Sequence, residues 1–197
     1  MIDDKKFPSV SRYLLRLPRG LASYPECQAK GSVLRQGVDS APVRLDLAAL
    51  PPELSALVAA PPLPTEWISE VHLNSIMLAY QDSVSPETWE TWTYDRNRAL
   101  FRKSLYRILF AVISPDRLFA GLTNRWGAFR RGSELRLLSL GDHGAQVEAK
   151  YPPYLHDELT MGAAAIAMRA AGDAAGGQTQ TRLVDMEPSR CVIEITW

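Results

Sequence analysis

Three histidines, His72, His143 and His156, are the side chains of this chain best suited to bind a metal ion or a haem iron. His72 is the most informative, because Ile68 and Ile76 flank it at i−4 and i+4 on one face of a predicted helix. A buried histidine that faces a cavity can ligate haem iron. We favour a histidine at the edge of the core, because no second ligand stands at helical spacing and no zinc-binding motif is present. The histidines alone therefore predict no metal site.

Tryptophans are concentrated in the middle of the chain, where they indicate either a core or a binding surface. Trp89 and Trp92 are three residues apart and share one side of a predicted helix. Aromatic side chains in a helical layer over a small sheet usually form the core, and a minority line a ligand pocket or a partner groove. From these patterns we predict one ligand- or partner-binding surface made of Trp67, Val71, His72, Trp89, Trp92 and Trp126.

The remaining reactive residues do not assemble a recognisable catalytic set. Cys191 lies in a predicted strand with no local base, which favours a small buried hydrophobic residue over a nucleophile. Residues 125–132 mix cations with aromatics, and we favour a helix end with inward-packed aromatics over a site that stacks on bases or binds an anionic partner. We therefore predict no catalytic residues. An enzyme whose residues converge only through tertiary structure stays open, with His72, Asp95, Arg107 and Glu134 as its candidates.

Composition and charge narrow the class of protein. The chain has 197 residues, 46% of them hydrophobic, and its 22 Lys+Arg balance its 22 Asp+Glu. A formal net charge of zero argues against binding of nucleic acid through bulk charge. We expect neither a signal peptide nor a membrane span, because no sufficiently long apolar run exists. These features predict a cytoplasmic protein with reduced cysteines.

The elements that must position these residues fall into three parts of one predicted domain, residues 1–197. Residues 1–64 form a proline-punctuated N-terminal segment, and residues 65–131 form a helical body. Helix starts are predicted at Thr65, at Ser85 before Pro86, and at Ser114 before Pro115. The first of these helices is expected to run through about residue 82.

Residues 132–197 form the third part, in which two hairpins enclose one helix. The predicted fold is therefore α+β, an N-terminal helical body packed on a small C-terminal antiparallel sheet in the order β-β-α-β-β. The final strand, residues 191–197, is expected to lie at a sheet edge. An unpaired edge there could recruit a second copy of the chain.

Dispersed stretches of this sequence resemble a paralogous family of unknown function and similar length that is expanded in myxobacteria. These stretches are residues 24–34, 50–54, 66–72, 97–101, 113–118 and 125–132, together with the closing strand. The element order is in turn similar to a ligand-binding superfamily of haem–nitric-oxide sensors, 4-vinyl-reductase-type domains and vesicle-tethering subunits. That resemblance implies helices packed on a small antiparallel sheet, often around a hydrophobic cavity. The Tyr-x-Ser-x-Arg signature that binds haem carboxylates in the haem sensors is absent, so we expect no haem and no other cofactor.

The sequence therefore favours a non-enzymatic sensor or adaptor, which binds a small apolar ligand or a protein partner in signalling or regulation. Such a role requires the ligand or partner to prefer one of two protein states. The alternatives are a homo-oligomeric scaffold and an enzyme with dispersed catalytic residues. We expect no nucleic-acid partner, and a homo-oligomer stays open.

Overall fold

The computed structural model describes residues 2–102 and 114–197, and it confirms the predicted α+β class. The helices are α1 (Pro8–Arg16), α2 (Gly31–Asp39), α3 (Pro52–Ala59), α4 (Glu70–Asp82), α5 (Pro86–Arg102), α6 (Pro115–Ala120), α7 (Leu122–Trp126) and α8 (Glu158–Ala174). The strands are β1 (Gln28–Lys30), β2 (Trp67–Ser69), β3 (Arg130–Arg131), β4 (Glu134–Gly141), β5 (Gly144–Lys150), β6 (Gln180–Glu187) and β7 (Arg190–Thr196). None of the helices described has both the length and the apolar character needed to cross a bilayer.

The C-terminal third of the chain forms the predicted β-β-α-β-β unit. Hairpins β4–β5 and β6–β7 are both present, and α8 connects them. The helix begins with a capping box, in which the Asp157 carboxylate accepts from the Thr160 amide at 2.9 Å. The four strands form one antiparallel sheet in the order β4-β5-β7-β6. This unit therefore provides a wall on which the helices can pack.

The last strand lies inside this sheet rather than at its edge, so the expectation for residues 191–197 is wrong. β7 pairs with β5 on one side and with β6 on the other, because α8 carries the chain past the position beside β5. The sheet edges are β4 and β6, and each carries an irregularity, between Leu137 and Ser139 and between Leu183 and Asp185. Bulges hinder pairing of an edge with another chain. The last strand therefore offers no free edge at which a second copy of the chain could pair.

The sheet and the helices bury one continuous core. Alternate residues of the central strands point inward, and Val147, Ile193 and Ile195 are at most 1% exposed. Helix α4 is apolar over a wide arc, and Val71 and Ile76 are both fully buried. A helix buried on more than one side is what this wide apolar arc predicts. Helix α4 is therefore surrounded by other elements.

Residues 67–69 form a strand where the sequence indicated the first turn of a helix. This strand, β2, pairs with β1, which also pairs with β3, in the sheet order β2-β1-β3. Helix α4 begins only at Glu70, and Ser69 rather than Thr65 caps it by accepting from the His72 amide at 3.4 Å. Trp67 and Ile68 have side chains that favour strands, and pairing with β1 decides the conformation.

The two serine–proline helix starts are confirmed. Helix α5 begins at Pro86, and the Ser85 hydroxyl accepts from the Thr88 amide at 3.2 Å. Helix α6 begins at Pro115 after Ser114. The predicted continuation of the α5 pattern to residue 112 lies outside the described residues.

Candidate ligand-binding cavity

A partly open cavity of about 110 Å³ lies between α4, α5, α8 and the C-terminal sheet, and we call it the central cavity. Much of its apolar wall comes from Leu73, Met77 and Leu78 of α4, Trp89 of α5, and Ala163 and Ala164 of α8. Residues three or four places apart share one helix face, which explains how each helix contributes several of them. The alanines of α8 leave space that larger side chains would fill. The cavity therefore arises from a small-residue face packed against a large-residue face.

A buried polar cluster also lines the central cavity. Glu70 is 1% exposed, and its Oε1 lies 3.1 Å from Arg130 Nε and 4.0 Å from His156 Nε2. Asn74 Nδ2 donates to the Leu155 carbonyl oxygen at 2.8 Å and lies 3.4 Å from His156 Nδ1. The cluster thus joins the start of α4, strand β3 and the loop before α8.

Burial sets the protonation states in this cluster. It raises the pKa of Glu70 above the ordinary value of 4.5, and the charge of Arg130 opposes that rise. Burial, with the charge of Arg130 as a second cause, lowers the pKa of His156 from 6.5 to about 3. His156 is therefore neutral at neutral pH. Because Nδ1 faces the Asn74 amide donor, the hydrogen-bond arrangement assigns the ring hydrogen to Nε2, on the side of Glu70.

Several polar atoms of the cluster lack a hydrogen-bond partner among the described residues. These are both carboxylate oxygens of Glu70 and Nη1 of Arg130, all of them buried. The two side chains form an ion pair without a well-aligned hydrogen bond. A buried polar atom without a partner costs about 1–3 kcal/mol. A ligand or a water molecule that supplied partners here would recover part of that free energy.

Arg96 brings a second guanidinium group to the cavity wall. Its Nη1 lies 3.1 Å from Met77 Sδ, and its guanidinium carbon lies 4.5 Å from the centre of the Trp92 ring. Within the part of the chain that the structure describes, no carboxylate forms a salt bridge with Arg96. Burial, with the charge of Arg130 as a second cause, lowers the pKa of Arg96 to about 10, so this side chain stays charged at neutral pH. The wall therefore carries positive charge that its protein neighbours do not neutralise.

The structure brings only two of the six predicted binding residues to this cavity, Trp89 and Trp126. The other four lie elsewhere: Val71 and Trp92 in the core, Trp67 between the cations of Lys30 and Arg131, and half-buried His72 on another face of α4. The six-residue surface stays a prediction. The enzyme candidates Asp95 and Glu134 do not line the central cavity, and Arg107 lies outside the described residues.

The charged residues of the cavity are not among those predicted from the sequence. Arg130 belongs to residues 125–132, which were attributed to a helix end, and it instead lies in β3. Glu70 is an acidic residue near a helix start, a position that the helix dipole already explains. One signal was present: Glu70 and Asn74 stand four residues apart on one face of α4, just before the apolar residues 76–80. Buried polar residues on such a helix indicate a special environment.

Solved structures that share this fold are haem proteins. One was solved to study how porphyrin distortion modulates haem redox potential, and it matches with a TM-score of 0.57 at 10% identity, over 85% of this chain and 99% of that chain. A mutant Fe(II) unliganded H-NOX protein from K. algicida matches with a TM-score of 0.57 at 10% identity, over 85% and 95%. An H-NOX family member solved to probe haem distortion gives 0.51 at 11% identity, over 85% and 94%. No protein-family model and no curated protein matches the sequence.

These comparisons confirm the resemblance to the haem–nitric-oxide-binding superfamily as a likeness of fold. They contradict the expectation that the chain uses no cofactor, because the matched structures are haem-binding proteins. The absence of the haem-carboxylate signature was the reason for that expectation. A missing motif excludes one way of holding a haem and leaves other donor residues available.

The donor groups of the central cavity fit a haem, whereas its present volume does not. Arg96 and Arg130 are the cations that would pair with haem carboxylates, and His156 is the histidine on the wall. Its neutral imidazole is the form that binds metal ions. Both ring nitrogens face protein groups, Asn74 and Glu70, so coordination requires one of these contacts to break. The volume of about 110 Å³ is below the roughly 300–1,000 Å³ of small-molecule pockets, so a haem requires the helices to separate.

Proposed function

We propose that this chain is a ligand-binding sensor domain, in which the central cavity receives a mainly apolar ligand and haem is the first candidate for that ligand. The observation that carries the proposal is the cavity itself, an apolar space whose wall carries buried charged atoms without hydrogen-bond partners among the described residues. Native cores are packed without such combinations unless a site requires them. The likeness of fold to haem-binding proteins supports haem as the candidate.

Helix α4 offers a route by which ligand binding would change the protein surface. Its first residue, Glu70, donates from its backbone amide to the Cys27 carbonyl oxygen at 2.9 Å, next to β1. Near its other end, the Asp82 carboxylate accepts from the Ser9 amide of α1 at 2.9 Å. A ligand that moved α4 would therefore move β1 and α1. A signal requires the ligand to prefer one of the two positions, and a protein partner would detect that difference.

An enzyme is the second candidate function, because two titratable groups meet at the cavity. Glu70 and His156 lie 4.0 Å apart, and burial shifts their pKa values in opposite directions. Perturbed titratable groups in a cavity are typical of active sites as well as of structural ion pairs. Recovery of a bound ligand in unchanged form supports the sensor. Conversion of that ligand by the wild type, and not by Glu70→Gln, would favour the enzyme.

Titration with haem tests the first candidate. We expect the purified chain to bind one haem saturably, seen as a shifted and sharpened haem absorption band. His156→Leu should remove the spectral signature of an iron–imidazole bond, because His156 is the histidine that lines the cavity. The matched control His72→Leu replaces a half-buried histidine outside the cavity wall and should keep the wild-type spectrum.

The two parts of this experiment fail separately. Haem that never saturates on the wild type would contradict haem as the ligand. The iron–imidazole spectrum could instead stay unchanged in His156→Leu and disappear in His72→Leu. That result would show that the haem binds outside the central cavity. Absorption spectroscopy reads the bound state directly and needs no activity assay.

A further inference from the structure

The charges on the cavity wall indicate which chemical group of a ligand the protein recognises. This inference rests on the proposed binding function and refines the class of ligand. We infer that the central cavity selects ligands that join an apolar body to a carboxylate, and that Arg96 and Arg130 hold that carboxylate. The shared chemistry could be supplied by a free apolar acid or by the carboxylates of a haem.

Arg96 is the first reason for this assignment. A guanidinium group has five N–H donors, and the recorded acceptor for those of Arg96 is the thioether sulfur of Met77 at 3.1 Å. Thioether sulfur is a weak acceptor, and the face of Trp92 compensates the charge only in part. The side chain is only partly exposed, and no carboxylate of the described residues pairs with it. The Arg96 guanidinium can therefore pair with an anionic ligand.

Arg130 supplies the second half of the site. Its Nε faces Glu70 Oε1 at 3.1 Å, whereas its buried Nη1 has no hydrogen-bond partner among the described residues. The Nε side of this guanidinium thus pairs with Glu70, and Nη1 can donate a hydrogen bond to a ligand. With His156 neutral, the wall combines two guanidinium groups with the single carboxylate of Glu70. An incoming carboxylate would balance the excess positive charge.

The rest of the wall explains why the ligand should also be apolar. Leu73, Leu78, Trp89 and Ala164 present carbon atoms to the cavity. A small inorganic anion would leave these surfaces without contacts, whereas an acyl chain would cover them. The volume of about 110 Å³ is below that of a cavity of roughly 150 Å³ that binds benzene, so an eight-carbon chain requires the wall to widen. Charge and shape together favour an amphipathic acid.

Matched probes test the inference. Octanoate and octanol share a chain and differ in the carboxylate, and fluorescence of the wall residues Trp89 and Trp126 reports binding. We expect the wild type to bind octanoate about 10- to 100-fold more tightly than octanol, the ratio that a charged hydrogen bond provides. Arg96→Met should lose most of that preference, because the affinity for octanoate falls much more than the affinity for octanol. The control Arg98→Met removes an arginine of the same helix that donates to the Tyr94 hydroxyl at 2.6 Å, and it should keep the preference.

Haem and its dimethyl ester form the second arm, since the ester lacks free carboxylates. We expect haem to bind more tightly than its ester, and we expect Arg96→Met to reduce that difference. This result supports the same carboxylate site. If octanoate does not bind, the result assigns the site to the carboxylates of haem. Equal affinities for octanoate and octanol, together with equal affinities for haem and its ester, would overturn the inference and leave the proposed binding function intact. If none of the four compounds binds, the proposed function fails, and the inference fails with it.

Discussion

Arg130→Met is expected to lower the free energy of unfolding by about 2–3 kcal/mol at neutral pH, because Glu70 without its partner takes up a proton and this limits the cost of the lost ion pair. Glu70 is 1% exposed, and Arg130, at 19% exposed, is the cation that forms a salt bridge with it in the described structure. Methionine fills much of the same space without charge, so the loss reports the electrostatic effect more than packing. Urea denaturation followed by circular dichroism measures it.

The dependence on pH distinguishes this explanation from a packing defect. Burial raises the pKa of Glu70 in the folded protein above its ordinary 4.5, and removal of Arg130 takes away the charge that lowers it. The folded state then holds the Glu70 proton more strongly than the unfolded state does. Stability is therefore greatest below pH 4.5 and falls as the pH rises through the folded-state pKa. The loss in Arg130→Met should be largest at neutral pH and should shrink toward pH 4.5.

The double variant Glu70→Gln/Arg130→Met provides the control. It removes both charges, so we expect it to recover most of the stability that Arg130→Met loses at neutral pH. A loss of less than about 1 kcal/mol in Arg130→Met, or a loss of equal size at neutral pH and at pH 4.5, would show that Glu70 does not depend on Arg130.

His156→Gln is expected to make the fold more resistant to acid. The pKa of His156 is about 3 in the folded protein and 6.5 ordinarily, so the unfolded chain binds a proton in that interval and the folded chain does not. Stability is therefore lost as the pH falls below 6.5, by about 1.4 kcal/mol per pH unit at most. This contribution amounts to roughly 3 kcal/mol at pH 4.5. Glutamine carries no titrating group and can still accept from Asn74, so the variant should lack this loss.

Two further variants isolate the contribution of His156. Glu70 acts in the opposite direction, because its protonation favours the fold as the pH falls. The acid loss should therefore be steeper in a Glu70→Gln background, where only the histidine remains. His143→Gln changes an exposed turn residue and should retain the wild-type acid loss. The double variant Glu70→Gln/His156→Gln is compared with Glu70→Gln alone. Equal loss of stability in acid for these two proteins would contradict a buried neutral imidazole at His156.

The sequence predicted the C-terminal unit well because its signals are local. Alternating strands, hairpin turns and an alanine-rich helix each depend on neighbours in the chain. The serine–proline starts of α5 and α6 are local signals of the same kind. Strand β2 was missed because three residues carry little pattern, and its conformation depends on pairing with the distant β1. The central position of β7 depends on sheet order, which local patterns do not specify.

The cavity cluster could not be predicted for the same physical reason. Glu70, Arg130 and His156 come from α4, β3 and the loop before α8. Only tertiary packing places Arg130 3.1 Å and His156 4.0 Å from Glu70 Oε1. Each residue also has an ordinary explanation in its local sequence. Two residues of the predicted six-residue surface, Trp89 and Trp126, have side chains that line the cavity, and the surface itself stays a prediction. That prediction did not include the charged residues, because their partners are distant in the chain.

The most direct measurement of the central claim is haem affinity, read by tryptophan quenching, in a variant whose cavity is filled. Ala164→Leu adds a larger side chain to the cavity wall, and Ala56→Leu makes the same change at an exposed position of α3. Binding in the central cavity predicts that Ala164→Leu weakens haem affinity by about tenfold or more, while Ala56→Leu leaves it unchanged. Equal affinities in both variants and in the wild type would contradict the account, because the ligand would then bind elsewhere.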